Sequence, residues 1–401
     1  MKHFRAEHEL LICIARRTLD ERQVDRLRNL VQQNIAWEYL FNSASLHGLL
    51  PLLATHLLAT SRDLLPEPIL QQVRSDCLEG SKSNFYLLRE LMRVLELFDA
   101  QGIRALAFKG PVLAQMVYGD LGLRQAGDLD ILIAKEDFTR ARDLLQSNSY
   151  VMSPQLTRAQ QRSHLGFHCE IQFFHQDQFC VVDLHWGLTP KSFPFLLGFE
   201  DLWARRQTLN FAGHAIHTFS NADLLLYLCV HAAKHYWRRL EWVAAIAELV
   251  KSTPQNEWPL LLRRASETNS RKILSLGLFM ASDVFGLDLP HEVDEWLKNS
   301  GPARGFALSL KQKMFQDYGF APSQVESFRL NLQFMDRRSD AVKSLLRSIF
   351  VPTISDWQAT KLPNSMYPLY YGLRAIRLLS KYSPSYKSPP ARASDDSRRV
   401  L

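Results

Sequence analysis

The sequence has an odd number of cysteines, five in 401 residues (Cys13, Cys77, Cys169, Cys180, Cys229), and no Cys-x-x-Cys spacing among them. That argues against a disulfide framework and against a zinc knuckle, and leaves buried free thiols as the reading. No apolar run approaches the roughly 18 residues needed to cross a bilayer. The apolar patch from Leu10 to Ala15 is too short for the core of a signal peptide, so a cytoplasmic protein without a membrane partner is expected. There is no internal repeat, no Arg-rich tract and no RNA-binding signature. His231 and His235 stand four apart at helical spacing but lack the glutamate of a His-Glu-x-x-His motif. They are expected to pack or to face solvent rather than to bind zinc.

What is present is globular in composition, 46% apolar and 22% charged, and long enough for two or three domains, each with its own core. The net charge of +7 favours an anionic ligand such as a nucleotide. It is spread along the chain, with part of it around Arg398 and Arg399, and does not by itself point to nucleic acid.

Four regions follow from the changing rhythm of apolar residues. Residues 1–96 read as helix after helix, with Leu87, Leu91, Val94, Leu95 and Phe98 on one face. Residues 97–219 change character. A strand is expected over Ile103-Arg-Ala-Leu-Ala-Phe108, then Lys109-Gly110-Pro111 opens a short apolar helix ending near Tyr118, since proline suits a first helical turn. A second strand, Gly127-Asp128-Leu129-Asp130-Ile131-Leu132-Ile133, precedes an amphipathic helix from Lys135 to about Gln146. Two more strands, Phe167 to Phe174 and Phe179 to Trp186, flank the polar break from His175 to Gln178 and read as a hairpin, which predicts a mixed sheet. Over residues 220–380 helical spacing returns, opened by Ser220 with Asp223 three residues on. Residues 381–401 are rich in Ser, Pro and charge and are expected to be disordered.

The acids carry the chemistry. Side chains alternate across a strand, so Asp128 and Asp130 project from one face about 6 to 7 Å apart along the backbone. Two carboxylates on an apolar strand repel each other, and a hard divalent cation with a preference for oxygen relieves that repulsion. Asp183, in Val181-Val182-Asp183-Leu184-His185, is a third acid on a second apolar strand. If the strands are neighbours, the three acids could hold two ions, the arrangement used for phosphoryl transfer. Lys109 and Gly110 lie where a strand meets a helix amino terminus, whose free N–H groups attract phosphate. A hairpin turn at Gln176 and Asp177 would pair 183 with 170 and 185 with 168, putting Glu170 beside Asp183. Glu170, His168 or His185 could then orient an acceptor or take its proton, and a solvated polar face is the alternative. Lys234, His235, Arg238 and Arg239, with Tyr236 and Trp237, form a basic aromatic cluster. A helix could present it across the cleft to a phosphate or a base, and an exposed or partly structural helix is the equal alternative.

Phe108-Lys109-Gly110, Tyr118, Arg124, Gly127-Asp128-Leu129-Asp130-Ile131-Leu132-Ile133 and Val182-Asp183-Leu184-His185-Trp186 together resemble the uncharacterised nucleotidyltransferase family of the DNA polymerase β-like superfamily. The resemblance extends to Trp37 with Ala44-Ser-Leu-His47-Gly48-Leu-Leu-Pro51, to His231-Ala-Ala-Lys234-His235-Tyr-Trp237-Arg-Arg-Leu240 and to Val351-Pro-Thr-Ile-Ser-Asp356-Trp357. It implies an α+β fold, a polymerase β-like nucleotidyltransferase core with a small mixed sheet flanked by helical regions at both ends. It also implies that Asp128 and Asp130 bind both ions, that Asp183 completes the acceptor-side site, and that Gly110 lies beneath the triphosphate; Lys109, Arg124 and Lys234 are further candidate nucleotide contacts. In the superfamily's usual signature a Gly or Ser follows the glycine and the acid pair comes sooner. Here Pro111 follows Gly110 and the pair begins eighteen positions after it, as in the more divergent branch.

The expected reaction moves a nucleoside monophosphate from a nucleoside triphosphate, ATP among them, to an acceptor hydroxyl, with two magnesium ions and manganese as a substitute. A small molecule or peptide is the preferred acceptor, with RNA and protein as further candidates. Two readings compete. A glycosyltransferase also uses an Asp-x-Asp pair to hold a metal on a sugar nucleotide, but would need a longer nucleotide-binding region before the acids and would not need Asp183. A non-catalytic nucleotide-binding module would keep the acids without turnover.

Overall fold

The computed structural model describes residues 5–381 apart from 178, 194, 301–303 and 316–321. Beyond the last helical residue, Lys381, the tail expected to be disordered lies outside the described residues. Strands β1 (Ala105–Ala107), β2 (Leu129–Ile133), β3 (Tyr150–Ser153), β4 (Glu170–His175) and β5 (Val181–His185) form one sheet in the order β1-β2-β5-β4-β3. β2 and β5 run parallel and the other neighbours antiparallel. The expected mixed sheet within an α+β fold is therefore present. A separate hairpin, β6 (Gln207–Phe211) and β7 (His214–Thr218), turns through Ala212 and Gly213, both at positive φ, as a two-residue hairpin loop requires.

Alternation along the strands sorts apolar from polar. Leu129, Ile131 and Ile133 of β2 join Ile171, Phe173, Val182 and Leu184 in one apolar layer, covered by Leu87, Leu91, Val94 and Phe98 of the helix Glu67–Ala100 and by Phe138, Ala141 and Leu145 of the helix Phe138–Ser147. Each such aliphatic or aromatic side chain contributes about 1.5–3 kcal/mol on burial, enough in sum to hold carboxylates on the opposite face of the same strands. That face carries Asp130 and Leu132 of β2 and Asp183 and His185 of β5. The helix expected to close near Glu96 runs on to Ala100, and Gly102, at φ 65°, ends the turn that follows.

The two helical regions are not separately cored. Leu10, Leu27, Leu53 and Leu57 pack in one cluster with Leu224, Leu228, Val243, Ile246, Leu274 and Leu278. Amphipathic helices from both ends of the chain close over the same apolar volume, behind the sheet face that carries the acids. Ser220 caps the helix Asn221–Lys234 through the Asp223 N–H, as its spacing predicts. The five cysteines are free thiols, four of them buried and Cys77 half-buried. Among the described residues no helix is long and apolar enough to cross a membrane.

Candidate functional site

Parallel pairing of β2 with β5 sets Asp130 opposite Asp183 and Leu132 opposite His185. One ligand atom each from Asp130, Asp183 and His185 lie within 4.8 Å of one another, so acids from two distant chain segments meet as the sequence predicts. Asp128, at the residue before β2 begins, is partly buried and stands outside that closest trio, but it acts electrostatically on both other acids. Three carboxylates form a donor set suited to a hard divalent cation. Oδ1 of Asp183 is buried without a hydrogen-bond partner, an arrangement that costs free energy unless a cation or proton occupies it. The residues present thus fit a divalent metal.

Oδ1 of Asp130 accepts two charged donors. Lys109 Nζ lies at 2.6 Å and His185 Nε2 at 3.0 Å. On its other side His185 presents Nδ1 to Glu170 at 3.2 Å, and Lys234 Nζ reaches Glu170 at 3.8 Å. The chain therefore supplies its own cations to one side of the acid set. Burial works to raise the Asp130 carboxyl, but Lys109 and His185 outweigh it and hold it well below the usual carboxylate range. Burial followed by the charge of Asp130 raises Asp128 to about 6. Burial, then Asp128 and Asp130, raises Asp183 to about 7. His185, despite its burial, is raised to about 10 by Glu170 and Asp130, and is a cation at neutral pH.

Gly110 begins the helix Gly110–Tyr118 at φ +56°, and a Cβ placed there would lie 3.0 Å from the backbone oxygen of Asp128. The glycine has a structural reason for its place: it lets the strand–helix turn approach the residue that carries the first acid. Lys109, the N-cap, is extended and turned toward the acids. Its ammonium also lies 5.8 Å from the Tyr227 ring centre, within cation–π range.

Arg124 is 3.9 Å from Glu241. Backbone N–H groups of Glu241 and Leu240 donate to the His47 carbonyl and His47 Nδ1. The segments around Trp37 to Pro51 and His231 to Leu240, distant in sequence from the acids, are thereby tied to the loop before β2. The same loop is held by Asn84, whose side chain donates to the Leu121 and Arg124 carbonyls at 2.5 Å each and accepts from Ala126 N–H at 3.1 Å. Asn84 was not anticipated. The signal for it was a buried amide three residues before Leu87, on the apolar face of its helix.

Three expectations are corrected. The hairpin register pairs Glu170 with His185 and Gln172 with Asp183, not 170 with 183 and 185 with 168. β4 ends at His175, whose N–H donates to the Cys180 carbonyl at 3.0 Å, so the connection to β5 is longer than the two-residue turn expected, while the unforeseen β3 pairs with the other edge of β4. Because the shift is two residues, Glu170 stays on the face of Asp183. His168 is drawn away from the strand pairing and stacks on His164, ring centres 4.4 Å apart. Finally, the basic aromatic cluster is not on a helix: the helix ends at Lys234, and Tyr236 and Trp237 take positive φ in the turn beyond it. Trp237 is fully buried and cannot stack on a base, whereas Lys234 does face Glu170. His231 and His235 pack on Trp242, at 5.3 and 5.6 Å between ring centres.

The family described as uncharacterised nucleotidyltransferase matches residues 33–286, more than half of the chain, and the chain belongs to that family. No curated protein matches it. Among solved structures, that of an antigenic nucleotidyltransferase-like protein from Paracoccidioides brasiliensis is similar at 15% identity, over 55% of this chain and 94% of that one, with a TM-score of 0.33.

Proposed function

We propose that this member of the uncharacterised nucleotidyltransferase family moves a nucleoside monophosphate from a nucleoside triphosphate to an acceptor hydroxyl, releasing pyrophosphate. The observation that supports this best is the placement of Asp130 opposite Asp183 on parallel strands, with Asp128 beside them. These acids would hold divalent metal, magnesium in our reading with manganese as a substitute, two ions sharing the three carboxylates. When bound, the metal would neutralise phosphate charge and activate the acceptor oxygen.

The chain's own residues do the rest. Lys109 and His185 hold Asp130 ionised and fixed in direction, and Glu170 orients His185. Lys109, Gly110, Arg124 and Lys234 would line the triphosphate, the first two at a helix amino terminus that attracts anions. The acceptor oxygen bonds to the α-phosphorus, the bond from that phosphorus to the bridging oxygen breaks, and the hydroxyl proton passes to a carboxylate of the set. Positioning and charge neutralisation supply most of the rate in such chemistry.

We infer a cytoplasmic enzyme using ATP or another nucleoside triphosphate, with a small molecule or peptide as the acceptor. The test incubates the purified chain with mixed triphosphates, magnesium and candidate acceptors, following pyrophosphate release and acceptor mass. Asp130→Asn should stop release while the protein remains folded; full activity in that variant rejects the assignment. Consumption of a sugar nucleotide in place of a triphosphate would favour glycosyl transfer.

A further inference from the structure

The helices Arg338–Phe350 and Leu369–Lys381 lie outside the residues matched by the family, and besides the apolar side chains they cover, such as Ala341 and Tyr370, both leave others exposed. A surface helix ordinarily turns its apolar stripe to the core. Here Leu369, Leu373 and Ile376 repeat at intervals of four and three on the outer face, with Ile376 63% and the adjoining Leu379 75% exposed. Two arginines of the same helix, the largely covered Arg374 and the half-exposed Arg377, reach the buried Asp356 at 2.8 and 2.7 Å. On the first helix Val342, Leu346 and Phe350, at intervals of four, are exposed as well, and the two helices pack against each other. Met366, at the approach to the second helix, is exposed too.

The charge around this patch has one sign. Among the described residues from 337 to 379, the charged residues in the exposed class are Arg337, Arg338, Lys343 and Lys361, all cations, while Asp340 is largely covered and Asp356 is buried. Two copies of the chain meeting through this face would bring cations against cations. An anionic lipid surface instead accepts the apolar side chains among its acyl chains and the cations among its headgroups, the usual chemistry of an interfacial amphipathic helix.

We propose that this two-helix face docks the protein on an anionic membrane surface, without spanning it. This departs from the expectation of no membrane partner, which rested on the absence of a spanning run and does not bear on surface binding. The proposal stands apart from the nucleotidyl transfer proposed above, because none of these residues belongs to the acid site.

The test is cosedimentation of the full chain with vesicles of phosphatidylcholine alone and of equimolar phosphatidylcholine and phosphatidylglycerol. Binding to the anionic vesicles, weakened by salt and absent from the neutral ones, is expected. The double variant Leu346→Asp and Ile376→Asp, at exposed positions and checked for folding by circular dichroism, should partition about tenfold more weakly or worse, given the apolar burial removed. The pair Arg338→Glu and Lys343→Glu should lose the preference for anionic vesicles. Wild-type protein that stays in the supernatant, binds both vesicles equally, or binds undiminished in the Leu346 and Ile376 variant overturns the proposal. So does light scattering that finds a dimer which the same variant dissociates, because the face would then be covered by a second copy.

Discussion

Lys109 holds its ammonium 2.6 Å from Oδ1 of Asp130, so the innermost acid of the site is already paired by a cation from the chain. Both groups are largely buried, with side chains 17% and 2% exposed. Removing the lysine leaves the buried Asp130 charge with His185 as its remaining partner on the same oxygen. Lys109→Met, which keeps the volume, is expected to destabilise the metal-free protein by about 3–5 kcal/mol. Magnesium should restore part of that loss. Urea unfolding with and without the ion checks both statements; an unchanged midpoint in the metal-free variant would show that Lys109 is not the counter-charge of Asp130.

Asp183 is in the opposite situation. Its buried Oδ1 has no hydrogen-bond partner, and burial together with Asp128 and Asp130 raises its carboxyl to about 7. Asp183→Asn removes a repelled charge, so at alkaline pH and without divalent ions the variant should be more stable than the parent by about 1 kcal/mol or more. The same variant should lose the stabilisation that magnesium gives the parent protein. Thermal unfolding with chelator and with magnesium separates the two effects, and a variant stabilised by magnesium as strongly as the parent would remove Asp183 from the ligand set.

The raised carboxyls also fix a direction for pH. Asp128 and Asp183, at about 6 and 7, carry protons below those values, and a bound cation must displace them. Metal affinity is expected to climb between about pH 5 and pH 8 and to level off above, with proton release on binding. In the metal-free protein the linkage runs the other way. A carboxyl raised on folding contributes stability that is fully present below its unfolded value near 3.8 and is lost as pH rises through 6 to 7. Calorimetric titration with manganese in buffers of different ionisation enthalpy reads the released protons directly; affinity that does not depend on pH would contradict the protonated state of these acids.

Much of this arrangement was legible in the sequence because it obeys short-range rules. A strand buried on both faces can tolerate Asp at alternate positions only where one face meets a polar site, so Asp128, Leu129 and Asp130 announced both the strand and its orientation. Ser220 with Asp223, and Gly110 with Pro111, marked helix starts by local hydrogen-bond chemistry. What stayed hidden depends on partners far along the chain. β3 is a short edge strand that pairs with β4, and the connection from β4 to β5 is longer than the two-residue turn its polar residues suggest, which moves the hairpin register by two. The joining of Lys109 to Asp130 arises because β1 and β2 pair antiparallel, which brings the end of one beside the middle of the other. Asn84 clamps a loop about forty positions away. Its burial among leucines was the local trace of a long-range bond.

Acid should also loosen the fold at two buried histidines. Burial keeps the His47 and His164 rings neutral, lowering each to about 4. A histidine depressed on folding contributes stability that is present above its unfolded value near 6.5 and is lost as pH falls through the folded value. These two rings should therefore contribute a decline in stability, measured by urea unfolding, between about pH 6.5 and pH 4, opposed by the gain from Asp128 and Asp183 over the same range. His47→Gln should flatten part of that decline while lowering stability at neutral pH, because His47 Nδ1 accepts the Leu240 N–H. An unaltered slope in the variant would mean that His47 takes up its proton in the folded and unfolded chain alike.

Gly110 is the position where the backbone leaves least freedom. Its φ of +56° and the Asp128 oxygen 3.0 Å from a built Cβ predict that Gly110→Ala costs about 1–3 kcal/mol through strain, and that it relaxes by pushing residue 128 outward. Metal binding should then weaken together with stability. Gly110→Asn separates strain from bulk: asparagine tolerates a left-handed backbone better than alanine, but its Cβ meets the same carbonyl oxygen. If strain in φ dominates, the asparagine variant recovers stability; if contact with Asp128 dominates, both variants lose manganese affinity equally, as read by electron paramagnetic resonance. Manganese affinity unaffected in both would mean that the turn at Gly110 and the acids of β2 are mechanically independent.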